Sequence, residues 1–291
     1  MDSQNPKVNL FVIGVNKAGS SWLYYLLNEH PDIFMSEVKE LYYFGSEYPE
    51  NLKKYHRNFD FSTEYKFYGE ATPTYYRDEG TARNIHEYCP EAKILTIVRD
   101  PIQRLHSQFY YHKQLNLVAE NKKVEEAVEV ENHLISDSHY EKTLPVFEEI
   151  FGSEQVLLVS LEEAKADEKK VWEEVQRFLG LQIIQFPGER SRSENATGNR
   201  WFRLVYRLTI RPVKVYFPGL YKWLLQSQFM RWAKNSLLRV LGTARKEPIS
   251  PETRMALEKE FEPTYNFLRE RGLTASIARD KSLRPEEMNT A

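Results

Sequence analysis

The stretch Val8 to Leu27, VNLFVIGVNKAGSSWLYYLL, decides how the rest of the chain is read. An apolar, largely β-branched run from Val8 to Val15 stops at Asn16-Lys17-Ala18-Gly19-Ser20-Ser21, and Leu23, Leu26 and Leu27 then fall at helical spacing. The pattern predicts a buried strand, a tight turn and a helix. Gly19 lets the backbone approach a ligand closely, the hydroxyls of Ser20 and Ser21 and the unpaired N–H groups of the helix start point outward, and Lys17 adds a full positive charge. Together they form an anion cradle. The familiar triphosphate-binding cradle, GxxxxGK[ST], sets Lys directly after its last Gly. Here Lys17 precedes Gly19 by two positions. A strand, Gly turn and helix also open many α/β proteins with no ligand there, so Lys17 and the paired serines carry the case.

The second informative stretch is Ala92 to His112, AKILTIVRDPIQRLHSQFYYH. Ile94 to Val98 reads as a strand buried on both faces. Arg99 stands at its carboxyl end, Asp100 fits an N-cap and Pro101 the first helical position. Arg104, Ser107 and Tyr111 share a face of that helix, so Arg99 and Ser107 are placed to grip one anion; pairing of Arg99 and Arg104 with surface carboxylates is the plainer alternative. Further strands are predicted at Lys66 to Ala71 and Val156 to Ser160, with helices at Glu79 to Tyr88, His139 to Phe151, Asp167 to Leu179 and Pro251 to Gly272. Lys113 to Glu131 reads as a charged loop or mobile helix suited to a lid. Four strands alternating with helices imply an α/β three-layer sandwich, P-loop-like, with a central parallel sheet flanked by helices and a helical C-terminal part.

Length and charge narrow the classes. At 291 residues, 40 basic against 42 acidic side chains leave a net charge of −2, which does not suggest a nucleic-acid binder. The lone cysteine, Cys89, and an N-terminus without a charged and apolar leader predict a reducing, cytoplasmic setting. The chain reads as a single domain, 1–291, with a core at about 8–181 and the helical part at about 195–272. Asn195 to Lys246 holds no Asp or Glu but many Lys, Arg and aromatic residues. It either packs on the core with its bases toward water or ligand phosphates, or makes peripheral membrane contact through about 200–246.

KAGSSWL after the first strand and IVRDPIQRLHSQF later resemble the two nucleotide-binding signatures of the sulfotransferases that use 3′-phosphoadenosine 5′-phosphosulfate (PAPS) and release adenosine 3′,5′-bisphosphate (PAP). GEATPTYY between them is similar to the matching segment of the glycan-modifying, heparan-sulfate branch. The resemblance implies that Lys17, Ala18, Gly19, Ser20, Ser21 and Trp22 hold the 5′-phosphosulfate, that Arg99 and Ser107 bind the 3′-phosphate, and that no metal is required. It implies Glu70 as general base, with Lys17 acting on the leaving group. His112 lies near a position where some members carry a functional His, one residue out of register. Lys39, Tyr43, Phe44 and Tyr75 are expected to line the acceptor site, for a hydroxyl or amine on a small molecule, lipid or glycan.

Besides the register of His112, two departures stand out. Ala71 replaces the Lys that usually follows the catalytic Glu, and one Cys cannot form the disulfide loop of secreted members, whose C-terminal contact to the 3′-phosphate Arg200 is expected to replace. Two other readings remain at this point: a nucleotide kinase of the P-loop type, which lacks its Lys after the turn, and a non-catalytic anion- or membrane-binding module of the same fold.

Overall fold

In the computed structural model, residues 7–115, 117–130, 132–188 and 246–273 are described. The chain enters as β1 (Leu10–Gly14), α1 (Ser20–Leu27), β2 (Ile33–Met35), α2 (Tyr43–Ser46), α3 (Leu52–His56), β3 (Phe67–Ala71) and α4 (Glu79–Tyr88). It continues through β4 (Lys93–Val98), α5 (Pro101–Gln114), α6 (Val124–Val130), α7 (Asn132–Ser136), α8 (Tyr140–Phe151), β5 (Val156–Ser160), α9 (Leu161–Ala166) and α10 (Glu168–Phe178). Two helices close the described part, α11 (Pro251–Glu260) and α12 (Glu262–Glu270).

The sheet is parallel throughout, in the order β2-β3-β1-β4-β5. β1 lies at its centre with all five residues buried, which is why its sequence is apolar without alternation. Phe11, Ile13 and Tyr68 face one layer, where α4, α8 and α12 add Ile85, Phe147 and Leu268. Leu10, Val12, Leu95 and Ile97 face the other, covered by α1 and α10 through Leu23, Leu26 and Trp172. This is the expected three-layer α/β sandwich. An eight-residue helix such as α1 is unstable alone in water. Burial of Leu23, Leu26 and Leu27 holds it, at about 1.5–3 kcal/mol per side chain. The carboxyl ends of β1, β3 and β4 therefore meet on one edge of the sheet, where such folds gather ligands.

Three elements differ from expectation. A fifth strand, β2, joins the sheet as its edge; at three residues it is too short to show a period. The charged stretch after Lys113 holds the end of α5 and then α6. The closing helix is two helices, because Pro263 lacks the N–H an uninterrupted helix needs and instead stands in the first turn of α12. Among the described residues no helix is long and apolar enough to cross a membrane. Arg200, the stretch 195–245 and the tail from Ala275 lie outside the described residues.

Candidate active site

The turn after β1 is built to leave its amide groups exposed to a ligand. Gly19 has φ 111°, a left-handed value that favours glycine, and a Cβ there would come within 2.9 Å of Leu161 Cδ1. It caps α1 without any side-chain hydrogen bond, so among the described residues no capping side chain occupies the amides of the first turn. Val15 N–H donates to the Ile97 carbonyl at 2.8 Å and ties the turn to β4. Lys17 follows in left-handed backbone, φ 66°, with its ammonium 4.1 Å from the centre of the Tyr111 ring.

Helix α5 braces that turn. Asn16 Nδ2 donates to Gln108 Oε1 at 3.2 Å, and the Gln108 amide meets His112 Nε2 at 2.6 Å. Arg104 is fully buried, and donates to Ser138 Oγ at 2.6 Å, to the Leu134 carbonyl at 2.5 Å and to Asn16 Oδ1 at 3.4 Å, with Asp137 3.6 Å away. Arg104 is thus structural, neither a ligand group nor a surface ion pair. His112 belongs to this brace.

Arg99 leaves the end of β4 and folds back on the turn, donating from Nη1 to the Lys17 carbonyl at 3.2 Å and from Nη2 to Gln103 Oε1 at 2.9 Å. Its backbone is fixed from behind. Tyr140 donates to the Arg99 carbonyl, Asp100 caps α5 through Gln103 N–H, and Tyr265 donates to Asp100 Oδ2 at 2.9 Å. Ser107 lies buried on the same helix. Lys246 returns to this place from far along the chain, held where His106 meets the Glu247 carbonyl at 2.8 Å and Glu247 N–H donates to the Tyr110 hydroxyl.

These cations press on one another. Burial, then Lys246, Arg99 and Lys39, push the Lys17 ammonium down to about 8, and only Glu40 among the named neighbours pulls the other way. Lys246 is likewise lowered by burial, Arg99 and Lys165. A cluster of positive groups in mutual repulsion is the electrostatic complement of a polyanion.

The loop after β2 and the carboxyl end of β3 hold two carboxylates in opposite surroundings. Glu70, on β3, is 0% exposed and accepts hydrogen bonds from Tyr55 (2.9 Å), Thr72 (3.0 Å) and Tyr75 (3.4 Å). Burial raises its carboxyl to about 7 against the lowering pull of those hydroxyls. Glu40 keeps 41% of its side chain exposed, 3.0 Å from Lys39 Nζ, and accepts from the Tyr42 hydroxyl at 2.7 Å. Burial raises Glu40 too, but Lys39, Tyr42 and Lys17 outweigh it and hold the carboxyl below its ordinary value. Tyr42 and Tyr111 are the exposed rings here, at 45% and 37%. Tyr43, Phe44 and Tyr75, expected to touch the acceptor, are packed into the core instead. Trp22 is also buried, in the opposite layer, with its indole N–H unpartnered. Among the described residues no group of three or more His, Cys, Asp or Glu side chains converges as a metal site.

A comparison with known families now fixes the lineage: the sulfotransferase domain model matches residues 7–197. The chain belongs to the sulfotransferase-domain family. Its relatives include the membrane-associated sulfotransferase kil1 of Dictyostelium discoideum, 36% identical over 109 residues that make up 36% of this chain and 23% of that protein. The chain spans less than a quarter of the length of the curated relatives it matches. Among solved structures, a sulfotransferase from Alicyclobacillus acidocaldarius aligns with TM-score 0.56 at 23% identity, covering 74% of this chain and 96% of that one. The mouse sulfotransferase SULT7A1 complexed with PAP aligns with TM-score 0.53 at 13% identity, covering 95% and 86%. In both cases the shared feature is the fold.

Lys17, Arg99 and Lys246 lie close enough to interact at the carboxyl ends of β1 and β4; the sequence motifs singled out the first two, for different phosphates. Lys246 closes the basic stretch whose bases were expected toward water or ligand phosphates, but nothing in its local sequence points at β4. Glu40 was not singled out; it stands between Lys39 and the aromatic run Tyr42 to Phe44.

Proposed function

We propose that the protein is a PAPS-dependent sulfotransferase that passes the sulfuryl group to a hydroxyl-bearing acceptor, with Lys17, Arg99 and Lys246 on the donor side and Glu40 as general base. The observation that carries the donor assignment is the set of mutually repelling cations at the carboxyl ends of β1 and β4, beside uncapped helix amides. Such a set fits a ligand with phosphates at two places. The donor supplies an activated sulfuryl group: an S–O bond to its phosphate breaks as an S–O bond to the acceptor oxygen forms, and negative charge grows on the departing phosphate. Lys17 and the α1 amides are fixed where that charge grows, so they stabilise it without reorganising. Arg99, Ser107 and Lys246 are assigned to the second phosphate.

A base must reach the proton it removes. Glu70 is enclosed by three hydroxyls and an aromatic layer, which speaks against the role the family resemblance implied for it. Glu40 is exposed, charged at neutral pH and close enough to Lys17 for each to shift the other's titration. It takes the acceptor proton in this reading. The open rings of Tyr42 and Tyr111 favour an acceptor with a flat or apolar body beside its hydroxyl. A cytoplasmic location belongs to the same proposal, supported by the free, buried Cys89; recovery from washed membranes would overturn it.

The test is release of PAP from PAPS in the presence of a panel of phenols, alcohols, sugars and amines, with and without EDTA. Transfer to at least one acceptor, unaffected by EDTA and reduced about 100- to 1,000-fold in Lys17→Ala, is expected. Turnover of ATP with no use of PAPS would refute it.

A further inference from the structure

Glu70 remains unexplained by a site that works through Glu40. Each of its three hydrogen-bond partners also touches the loop Lys39 to Phe44. Thr72 Oγ1 donates to Glu70 Oε2 at 3.0 Å and accepts from Tyr42 N–H at 3.4 Å. The Tyr75 hydroxyl donates to Glu70 Oε1 at 3.4 Å and accepts from Phe44 N–H at 3.1 Å. Tyr55 donates to Oε1 at 2.9 Å, and its ring stacks on Tyr43 with centroids 4.4 Å apart and planes 15° off parallel. Directly after Glu70, the Ala71 carbonyl accepts from Glu40 N–H at 3.0 Å.

We infer that Glu70 is a positioning residue: a buried anchor that, through Thr72, Tyr75 and Tyr55, fixes the loop carrying Glu40 and Tyr42. This rests on the reading of Glu40 as the group that meets the acceptor. The reason lies in proton counting. A hydroxyl has one proton. When Thr72 and Tyr75 spend theirs on Glu70, their lone pairs face the loop and receive its N–H groups. Ionised Glu70, an acceptor only, satisfies that polarity, so exchange is compared at pH 8, above the carboxyl's titration at about 7. An amide in its place brings two protons of its own, which face hydroxyls already turned to receive loop N–H groups, and at least one bond is lost. The loop needs such support because Glu40 and Tyr42 both sit in left-handed backbone, φ 66° and 56°, a conformation that non-glycine residues rarely hold unaided.

Hydrogen–deuterium exchange on the whole 291-residue chain tests the anchor without any acceptor. In Glu70→Gln, peptides covering 39–45 should exchange at least tenfold faster, while peptides covering 15–23 and the calorimetric affinity for PAP stay within twofold of wild type. Tyr75→Phe and Thr72→Val, each removing one relay hydroxyl, should speed the same peptides about threefold and carry the test if Glu70→Gln does not fold. Glu70→Gln/Tyr75→Phe should exchange no faster than Glu70→Gln, since both break one chain. With an acceptor in hand, kcat should fall tenfold or more with donor KM unchanged. Wild-type exchange across 39–45 in a folded Glu70→Gln overturns the anchor, as does abolished turnover with the loop unaltered, which would mean Glu70 acts on substrate directly. Lack of transfer by the wild type would count against the functional reading alone.

Discussion

The turn Val15 to Gly19, proposed for the donor, and the loop Lys39 to Phe44, proposed for the acceptor, both hold non-glycine residues in left-handed backbone, Lys17 in one and Glu40 and Tyr42 in the other. They are held by different means. The turn is tied by main-chain bonds to β4, by Arg99 to its own carbonyl, and by Asn16 to α5. The loop has one main-chain tie, Glu40 N–H to the Ala71 carbonyl, and otherwise hangs on side-chain hydroxyls that converge on one buried carboxylate. A turn tied at several independent points survives the loss of any one of them. A loop held by side chains can be loosened by a single polar substitution that never touches the ligand.

That contrast is open to attack at its strongest point first. Glu40→Gln keeps the loop and its left-handed backbone but removes the base, so turnover should fall about 100- to 10,000-fold with PAP binding unchanged. If Glu40→Gln turns over near the wild-type rate while Glu70→Gln does not, the roles of the two carboxylates are reversed.

A smaller effect separates the cations. Arg99→Ala and Lys246→Ala should each weaken PAP about 10- to 100-fold, the cost of a charge-assisted contact, and leave 5′-AMP nearly unchanged. Equal losses for both nucleotides would place these residues against the 5′ side.

Stability gives a separate test. The Glu70 carboxyl titrates near 7 when folded and near 4.5 when unfolded, so the native state holds the extra proton between those values. Stability then falls as pH rises from 4.5 to 7, by up to about 3 kcal/mol, and is level above. Glu70→Gln lacks this titration, and its melting temperature relative to wild type should climb between pH 5 and pH 8. A constant difference would mean that Glu70 stays ionised throughout.

The same contrast explains what could be read in the sequence. β1, the turn and α1 are contiguous, and their apolar run, glycine and leucine spacing announce strand, cradle and helix. Asp100 and Pro101 announce the start of α5 in the same way, and the structure has Asp100 as its cap. Glu70 was legible as a carboxylate on the last turn of a strand, but not the face it occupies. Alternation along β3 puts it with Tyr68 on the side covered by Phe44, Tyr55, Tyr75 and Tyr88, and only the packing of distant segments makes that side a closed layer. Tyr43, Phe44 and Tyr75 read as an acceptor cleft for the same reason: an aromatic cluster looks alike in sequence whether it lines a cleft or fills a core. Lys246 depends on a return of the chain to α5 that no local pattern records.

The most direct measurement is calorimetric titration of the 291-residue chain with PAP, set against 5′-AMP and Mg-ATP, with EDTA and then with magnesium, at pH 7 and pH 9. The account predicts binding of PAP that needs the 3′-phosphate, is indifferent to metal, and weakens at the higher pH as Lys17, near 8 in the free protein, loses its proton before binding. Tighter binding of Mg-ATP than of PAP, or equal binding of PAP and 5′-AMP, would contradict it.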